Sequence, residues 1–249
     1  MAMMDLLHSF PREVEYVQKN NIPLVIVGGT VEYHGPQCSY GCDSLIAEGL
    51  VKRLAAEGKE LMMAPTIHYS PSSYAVADGK SGTVHIPEPA FENYVYYTFK
   101  CLLSAGFRNI YVVIHHQFEQ ECEKPMTLCY RMAAARAIME YLEETRGQGW
   151  WGSENSASYY ENLDGDSNPF NWIKVIPAMS TAVQNATGYD HAGKYECSLL
   201  MALYPDCVDL ARLGDRVHWF TKSAAEANPA LGEEMAKQSL AYLNEAIHS

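Results

Sequence analysis

Positive charge is scarce in this sequence: 18 Lys and Arg stand against 30 Asp and Glu, a net charge of -12 over 249 residues, and the basic side chains form no cluster. A nucleic-acid backbone is held by Lys and Arg that replace condensed counterions, so the composition argues against a nucleic-acid partner. The opening MAMMDLLHSFPREVEY lacks the basic start, apolar core and small-residue cleavage site of a secretory signal, and no apolar run is long enough for a membrane span. The expectation is a cytoplasmic protein with no membrane partner. The seven cysteines are odd in number and scattered, unlike a disulfide framework, and Cys38 and Cys42 lack the second pair of a structural zinc site. Asp164-Gly165-Asp166 lacks the closing glutamate of a calcium loop. With 48% apolar residues and moderate charge, the chain is expected to fold as one α/β domain over 1–249 and to act on a small molecule.

What is present is a series of short apolar runs that end in polar residues. Leu24-Val25-Ile26-Val27 has the β-branched density of a strand buried on both faces, and Gly28-Gly29 ends it. Residues 61–65, 109–114 and 173–179 read as further strands, a short helix with its exit is expected over 5–20, with Leu6, Leu7, Phe10 and Val14 spaced for one apolar face, and helices over 44–58, 89–104, 125–145 and near the C-terminus. Strand, loop and helix follow one another, and in open α/β sheets ligands bind at the strands' carboxyl ends. Glu32 and His34 follow the first of these strands two residues apart, so in extended backbone both side chains face one side. Asp43 can return to them after the turns at Gly35-Pro36 and Gly41. Carboxylates and a neutral imidazole suit Zn²⁺ or Mn²⁺, while a polar surface loop would show the same residues; the three positions fit both readings equally.

Glu32-Tyr33-His34-Gly35-Pro36 followed by Gly41-Cys42-Asp43 resembles the first metal-binding motif, E-x-H-G-P and G-x-D, of the creatininase (creatinine amidohydrolase) family. Asp190-His191-Ala192-Gly193 and Glu196-Cys197-Ser198 resemble the family's later segment, H-A-G or H-G-G, a two-residue gap, then E-T-S. Ser81-Gly82-Thr83 matches its recurrent G-T step in part. The third strand commonly ends N-G-H in the family, which puts the metal-binding histidine on His116, with Ile114 and His115 in place of Asn-Gly. An acid two residues beyond falls on Phe118, and Glu119, one step further, is the candidate to replace it. His115 reads as a donor to a ligand or a substrate contact, and Glu121 as a helix-start acid.

The resemblance implies a three-layer α/β/α sandwich around a mainly parallel sheet, a homo-oligomer such as a hexamer, and one or two Zn²⁺ or Mn²⁺ ions at Glu32, His34, Asp43, His116 and Glu119. It further implies that His191, oriented by Asp190, carries a proton and that Glu196 orients the site from behind the ligands. The expected activity is metal-dependent hydrolysis of a small, cyclic amide or carbonyl compound. Family relatives that open oxidised inositol rings supply an alternative with C–C cleavage. The His115-His116-Gln117 strand end and the aromatic segment at about 147–172 set the chain apart from creatininase itself. Trp150, Trp151, Tyr159, Tyr160 and Trp172 in that segment either wall the ligand pocket or meet a neighbouring subunit. From other classes, a non-catalytic binding protein on the same fold and a cysteine hydrolase using Cys197 or Cys42 are the rival readings.

Overall fold

The computed structural model describes residues 4–116, 124–161, 163, 165 and 168–248. Five parallel strands form one sheet in the order β1-β3-β2-β4-β5: β1 Met4–Asp5, β2 Leu24–Gly28, β3 Met62–Met63, β4 Ile110–Ile114 and β5 Ile173–Pro177. β2 and β4 lie side by side at the centre, in register from Leu24 opposite Ile110 to Gly28 opposite Ile114. Their side chains alternate between two cores, as the twofold period of a strand requires. Leu24, Ile26, Ile110, Val112 and Ile114 face one core, while Val25, Val27, Tyr111 and Val113 face the other. Every one of these residues is buried, and a fully buried branched side chain contributes about 1.5–3 kcal/mol, so the centre of the sheet is the most strongly held part of the fold.

Helices cover both faces. α1 Pro11–Lys19, α3 Glu88–Ala105 and α4 Pro125–Arg146 pack over the first core, through Val17, Phe91, Phe99, Tyr130 and Ala137. α2 Cys42–Ala56, α5 Thr181–Thr187, α6 Lys194–Leu203 and α7 Pro229–His248 cover the second, through Leu50, Val183, Leu200 and Leu243. This is the expected α/β/α sandwich. Because the chain leaves β2 for α2 on one face and β4 for α4 on the other, a crevice opens between these two strand ends, the position where ligands bind in open α/β sheets.

One expectation needs correction. Residues 5–20 are not one helix: Met4–Asp5 forms an edge strand on β3, a 3₁₀ turn follows, and Pro11 starts α1. Leu7 and Phe10 are exposed, so the apolar spacing there marks no buried face. Of its two open roles, the aromatic segment does not take that of walling the pocket: none of its described residues lines the cleft. It forms short 3₁₀ turns between the end of α4 and the start of β5, which is the amino edge of the sheet, while the crevice lies at the carboxyl edge. Trp151, Tyr159, Tyr160 and Phe170 cluster there edge to face.

The crevice depends on close backbone approach beside β2. A Cβ at Gly29 would lie 2.9 Å from the Ser44 Cα and would overlap the Ser44 hydroxyl, so the strand end or the first turn of α2 would have to shift. Gly29→Ala is expected to lower unfolding stability by about 1–3 kcal/mol in urea titrations, whereas an unchanged midpoint would show that α2 is free to shift.

Candidate functional site

The loop after β2 is pinned from several sides. Glu32 N–H donates to the Tyr40 carbonyl at 3.1 Å, Tyr33 N–H to the Thr83 hydroxyl at 3.2 Å, and Val84 N–H to the Val31 carbonyl at 2.9 Å. Gly35 turns with φ 78°, where a Cβ would strike Gln37 and Thr221, and the Gln37 side-chain amide donates to the Ala192 carbonyl at 2.7 Å. The loop is thereby tied to the segment before α6. Tyr33 turns away to meet His218, and its neighbours Glu32 and His34 turn inward, each almost fully buried. The expectation that this pair faces one side is met.

Asp43 enters from the first turn of α2, where the helix dipole favours a negative charge, and it is buried. His115 and His116 follow β4 directly, and Glu196 comes from the first turn of α6. These elements bring their polar atoms within a few ångströms. His116 Nδ1 lies 3.1 Å from Glu32 Oε2 and 3.3 Å from Asp43 Oδ2, and His34 Nε2 lies 3.5 Å from Asp43 Oδ2 and 3.6 Å from Glu196 Oε2. Glu32 Oε2, Asp43 Oδ2, His34 Nε2, His116 Nε2 and His191 Nε2 are all buried without a hydrogen bond of acceptable geometry; the ion-pair distances between some of them reflect proximity, not satisfied bonds. Buried polar atoms are seldom left so, and a cluster of carboxylate and imidazole atoms in this state fits a divalent cation. The sets Glu32, Asp43, His116 and Glu32, His34, His191 each place their ligand atoms within 4.8 Å of one another. Glu119, Phe118 and Glu121 lie outside the described residues.

The structure places Asp190 differently from the expectation that it orients His191. Its Oδ2 accepts the Tyr195 N–H at 3.1 Å and its Oδ1 the Glu196 N–H at 3.0 Å, so the carboxylate collects the first amides of α6. His191 instead packs on rings, 4.4 Å from His34 and 5.3 Å from Phe220 between centroids, with Phe220 in turn stacked on His218 at 4.8 Å. The 218–220 segment carried no sequence signal, since its contact with His191 arises only from the fold. Ala192 adopts φ 54°, a strained angle for a residue with a Cβ, and its N–H donates to Glu196 Oε2 at 2.6 Å. Glu196 is thus at the centre of the site, with Oε1 3.0 Å from His115 Nε2. His85 Nδ1 accepts the Ser73 N–H at 3.1 Å.

A cavity of about 170 Å³ opens over these groups, walled on its other side by Val76, Ile114, Pro177 and Met179; no Lys or Arg lines it among the described residues. The thiols are unsuited to attack: a hydrogen bond with Cys38 and burial push the Cys197 thiol far up, and burial pushes Cys42 well up.

The family model for Creatininase, creatinine amidohydrolase, matches residues 10–247. The chain belongs to the creatininase family. Members of this family are metal-dependent amidohydrolases. A search of the curated proteins finds no match. Among solved structures the chain is similar to one described as "Creatininase Mn", at 17% identity and TM-score 0.71 over 99% of this chain and 100% of that one. It is likewise similar to a mutant creatininase of "Zn-Zn type", at 18% identity and TM-score 0.69 over all of both chains. A mutant creatininase complexed with creatine matches at 20% identity and TM-score 0.69, over 98% of this chain and 97% of that one. At these identities the likeness is one of fold, and for a creatininase-family chain the site rests on its own geometry.

Charge in the cleft sets a pH dependence. Burial opposes a charged His116, but Asp43 and Glu32 outweigh it and raise its pKa to about 10; His34 is raised in the same way by Asp43, Glu196 and Glu32. Burial also opposes the Asp43 and Glu196 carboxylates, yet facing imidazoles, His34 first, hold both below their ordinary values. Histidines with raised folded pKa values stabilise the fold below about pH 6.5 and lose that contribution as pH rises toward 10; the depressed carboxylates stabilise it above about pH 4 and lose theirs as pH falls. Chelator-treated protein is therefore expected to show a higher urea midpoint at about pH 5.5 than at about pH 9.5. A midpoint that stays constant or rises between these pH values would contradict the electrostatic arrangement.

Proposed function

We propose that this chain is a metal-dependent hydrolase that cleaves a C–N bond of a small, cyclic amide, with Glu32, His34, Asp43 and His116 holding one or two Zn²⁺ or Mn²⁺ ions. The observation that carries this reading is the convergence of Glu32 Oε2, Asp43 Oδ2, His34 Nε2 and His116 Nε2, all buried and unbonded, with Glu32, Asp43 and His116 lining the cavity. A divalent ion supplies, when bound, a water acidified toward neutrality and a polarised carbonyl.

The chain's own residues do the rest. The loop pinned by Thr83, Tyr40 and Gln37 fixes Glu32 and His34, so the ligand set is organised before substrate arrives. His191 presents an Nε2 without a hydrogen-bond partner at the cavity, and imidazole suits proton transfer near neutral pH, which makes it the group to carry the proton to the departing nitrogen. Asp190 serves this role indirectly, by holding the start of α6 and with it the turn that carries His191. Glu196 balances His115 and faces His34. Val76, Pro177 and Met179 also line the cavity and suit a compact apolar ring face. Tyr94 and Tyr97 on α3 with Leu128 and Met132 on α4 are exposed large apolar groups, which supports assembly into a homo-oligomer.

A panel of small lactams, formamides and keto-inositols, with and without added metal, tests the reading. Metal-dependent opening of a lactam to its amino acid is expected, and ring opening of a keto-inositol alone would replace it with the C–C alternative. His34→Ala is expected to lower bound metal along with turnover. His191→Ala should keep its metal and lose about 10²–10⁴-fold in kcat, and a variant retaining full kcat would remove His191 from the proton path.

A further inference from the structure

Asp190 does not orient His191, since the amides that open α6 take both its oxygens. The imidazole lies instead between two other rings, His34 at 4.4 Å with the planes 36° apart and Phe220 at 5.3 Å with the planes 62° apart. Phe220 is itself held. The His218 ring stacks on it at 4.8 Å, nearly parallel, with an interplanar angle of 13°. His218 Nε2 in turn lies 3.0 Å from the hydroxyl of Tyr33, the buried residue between Glu32 and His34.

The segment that carries these rings is tied to both parts of the site. The Thr221 hydroxyl donates to the His218 carbonyl at 3.2 Å, and the Thr221 methyl closes on Gly35, where a Cβ would stand 2.6 Å from it. Two residues on, the Ser223 hydroxyl accepts the Lys194 N–H at 3.1 Å, at the start of α6. Residues 218–223 thus join the loop of Glu32 and His34 to the turn that bears His191. None of Tyr33, His218 and Phe220 lines the cavity, so Phe220 reaches the reaction only through the imidazole it touches.

We propose that Phe220 is a positioning residue: backed by His218 and through it by Tyr33, it fixes the plane of the His191 ring with Nε2 at the cavity. The proposal rests on the reading of His191 as the proton carrier and adds what aims it. An edge-to-face ring contact has a preferred geometry and leaves Nε2 free for the proton of the reaction. Aim matters because a catalytic group displaced by an ångström loses much of its effect.

Two substitutions separate aim from packing. Phe220→Leu keeps an apolar side chain without the ring, and Phe220→Tyr keeps the ring. With the lactam of the panel that wild type opens fastest, Phe220→Leu is expected to lower kcat by about 10–10²-fold at unchanged KM and unchanged bound metal, and Phe220→Tyr to recover most of that loss. Placed on His191→Ala, Phe220→Leu should cost nothing further, because its effect passes through the missing imidazole. A further loss in the double variant, or full kcat in Phe220→Leu beside an impaired His191→Ala, would overturn the proposal and leave His191 on the proton path. Full kcat in His191→Ala would remove both. His218→Leu takes away the stack with Phe220 in place; it is expected to lower kcat in the same way, and it serves if Phe220→Leu fails to retain metal. Nuclear magnetic resonance of the whole chain with isotope-labelled histidine gives a readout without substrate. The ring signal lost in His191→Ala is expected to shift and broaden in Phe220→Leu, and a signal that stays in place would overturn the proposal.

Discussion

Three carboxylates buried in one cleft, with imidazoles and, among the described residues, no Lys or Arg to face them, are the constraint on which the rest of this structure depends. Ionised acids taken out of water need a compensating charge, and those of Glu32, Asp43 and Glu196 have only protons or cations to supply it. Much of the surrounding structure serves to keep them there despite this repulsion: the paired central strands, the Thr83 hydroxyl under the β2 loop, the Gln37 bridge to Ala192, and the strained turn at Ala192 that brings Glu196 inward. Strain and like charge concentrated at one place are stabilised by the apolar cores on either side of the sheet and are released by a bound cation.

The topology explains why the acids meet. β2 and β4 are neighbours whose following helices go to opposite faces, so their loops part and leave a crevice that α2 and α6 enter with their N-termini. A carboxylate in the first turn of a helix is favoured by the unpaired amides there, and both Asp43 and Glu196 occupy such positions. The aromatic segment before β5 belongs to the other edge of the sheet, and none of its described residues lines this cleft.

Much of this was legible in the sequence because buried parallel strands write themselves as uninterrupted β-branched runs. Leu24 to Val27 and Ile110 to Ile114 could be placed, and with them the polar residues delivered at their ends. Two-residue spacing gave the shared direction of Glu32 and His34. Asp190 was misread because an acid beside a histidine and an acid beside a helix start look alike in one dimension; the amides of Tyr195 and Glu196 take both its oxygens. The apolar spacing of Leu6, Leu7 and Phe10 resembled a helix face, but Pro11 starts the helix later and the edge strand before it pairs with β3, a partner far along the chain. Phe220 against His191 is likewise a contact that only the closed fold creates.

The most direct measurement is anomalous diffraction from crystals equilibrated with Mn²⁺, collected on both sides of the manganese absorption edge. A peak enclosed by Glu32, Asp43 and His116, present above the edge and much weaker below it, is the predicted result. Well-ordered side chains at these three positions with no such peak between them, or with their polar atoms turned apart, would contradict a metal centre in this cleft.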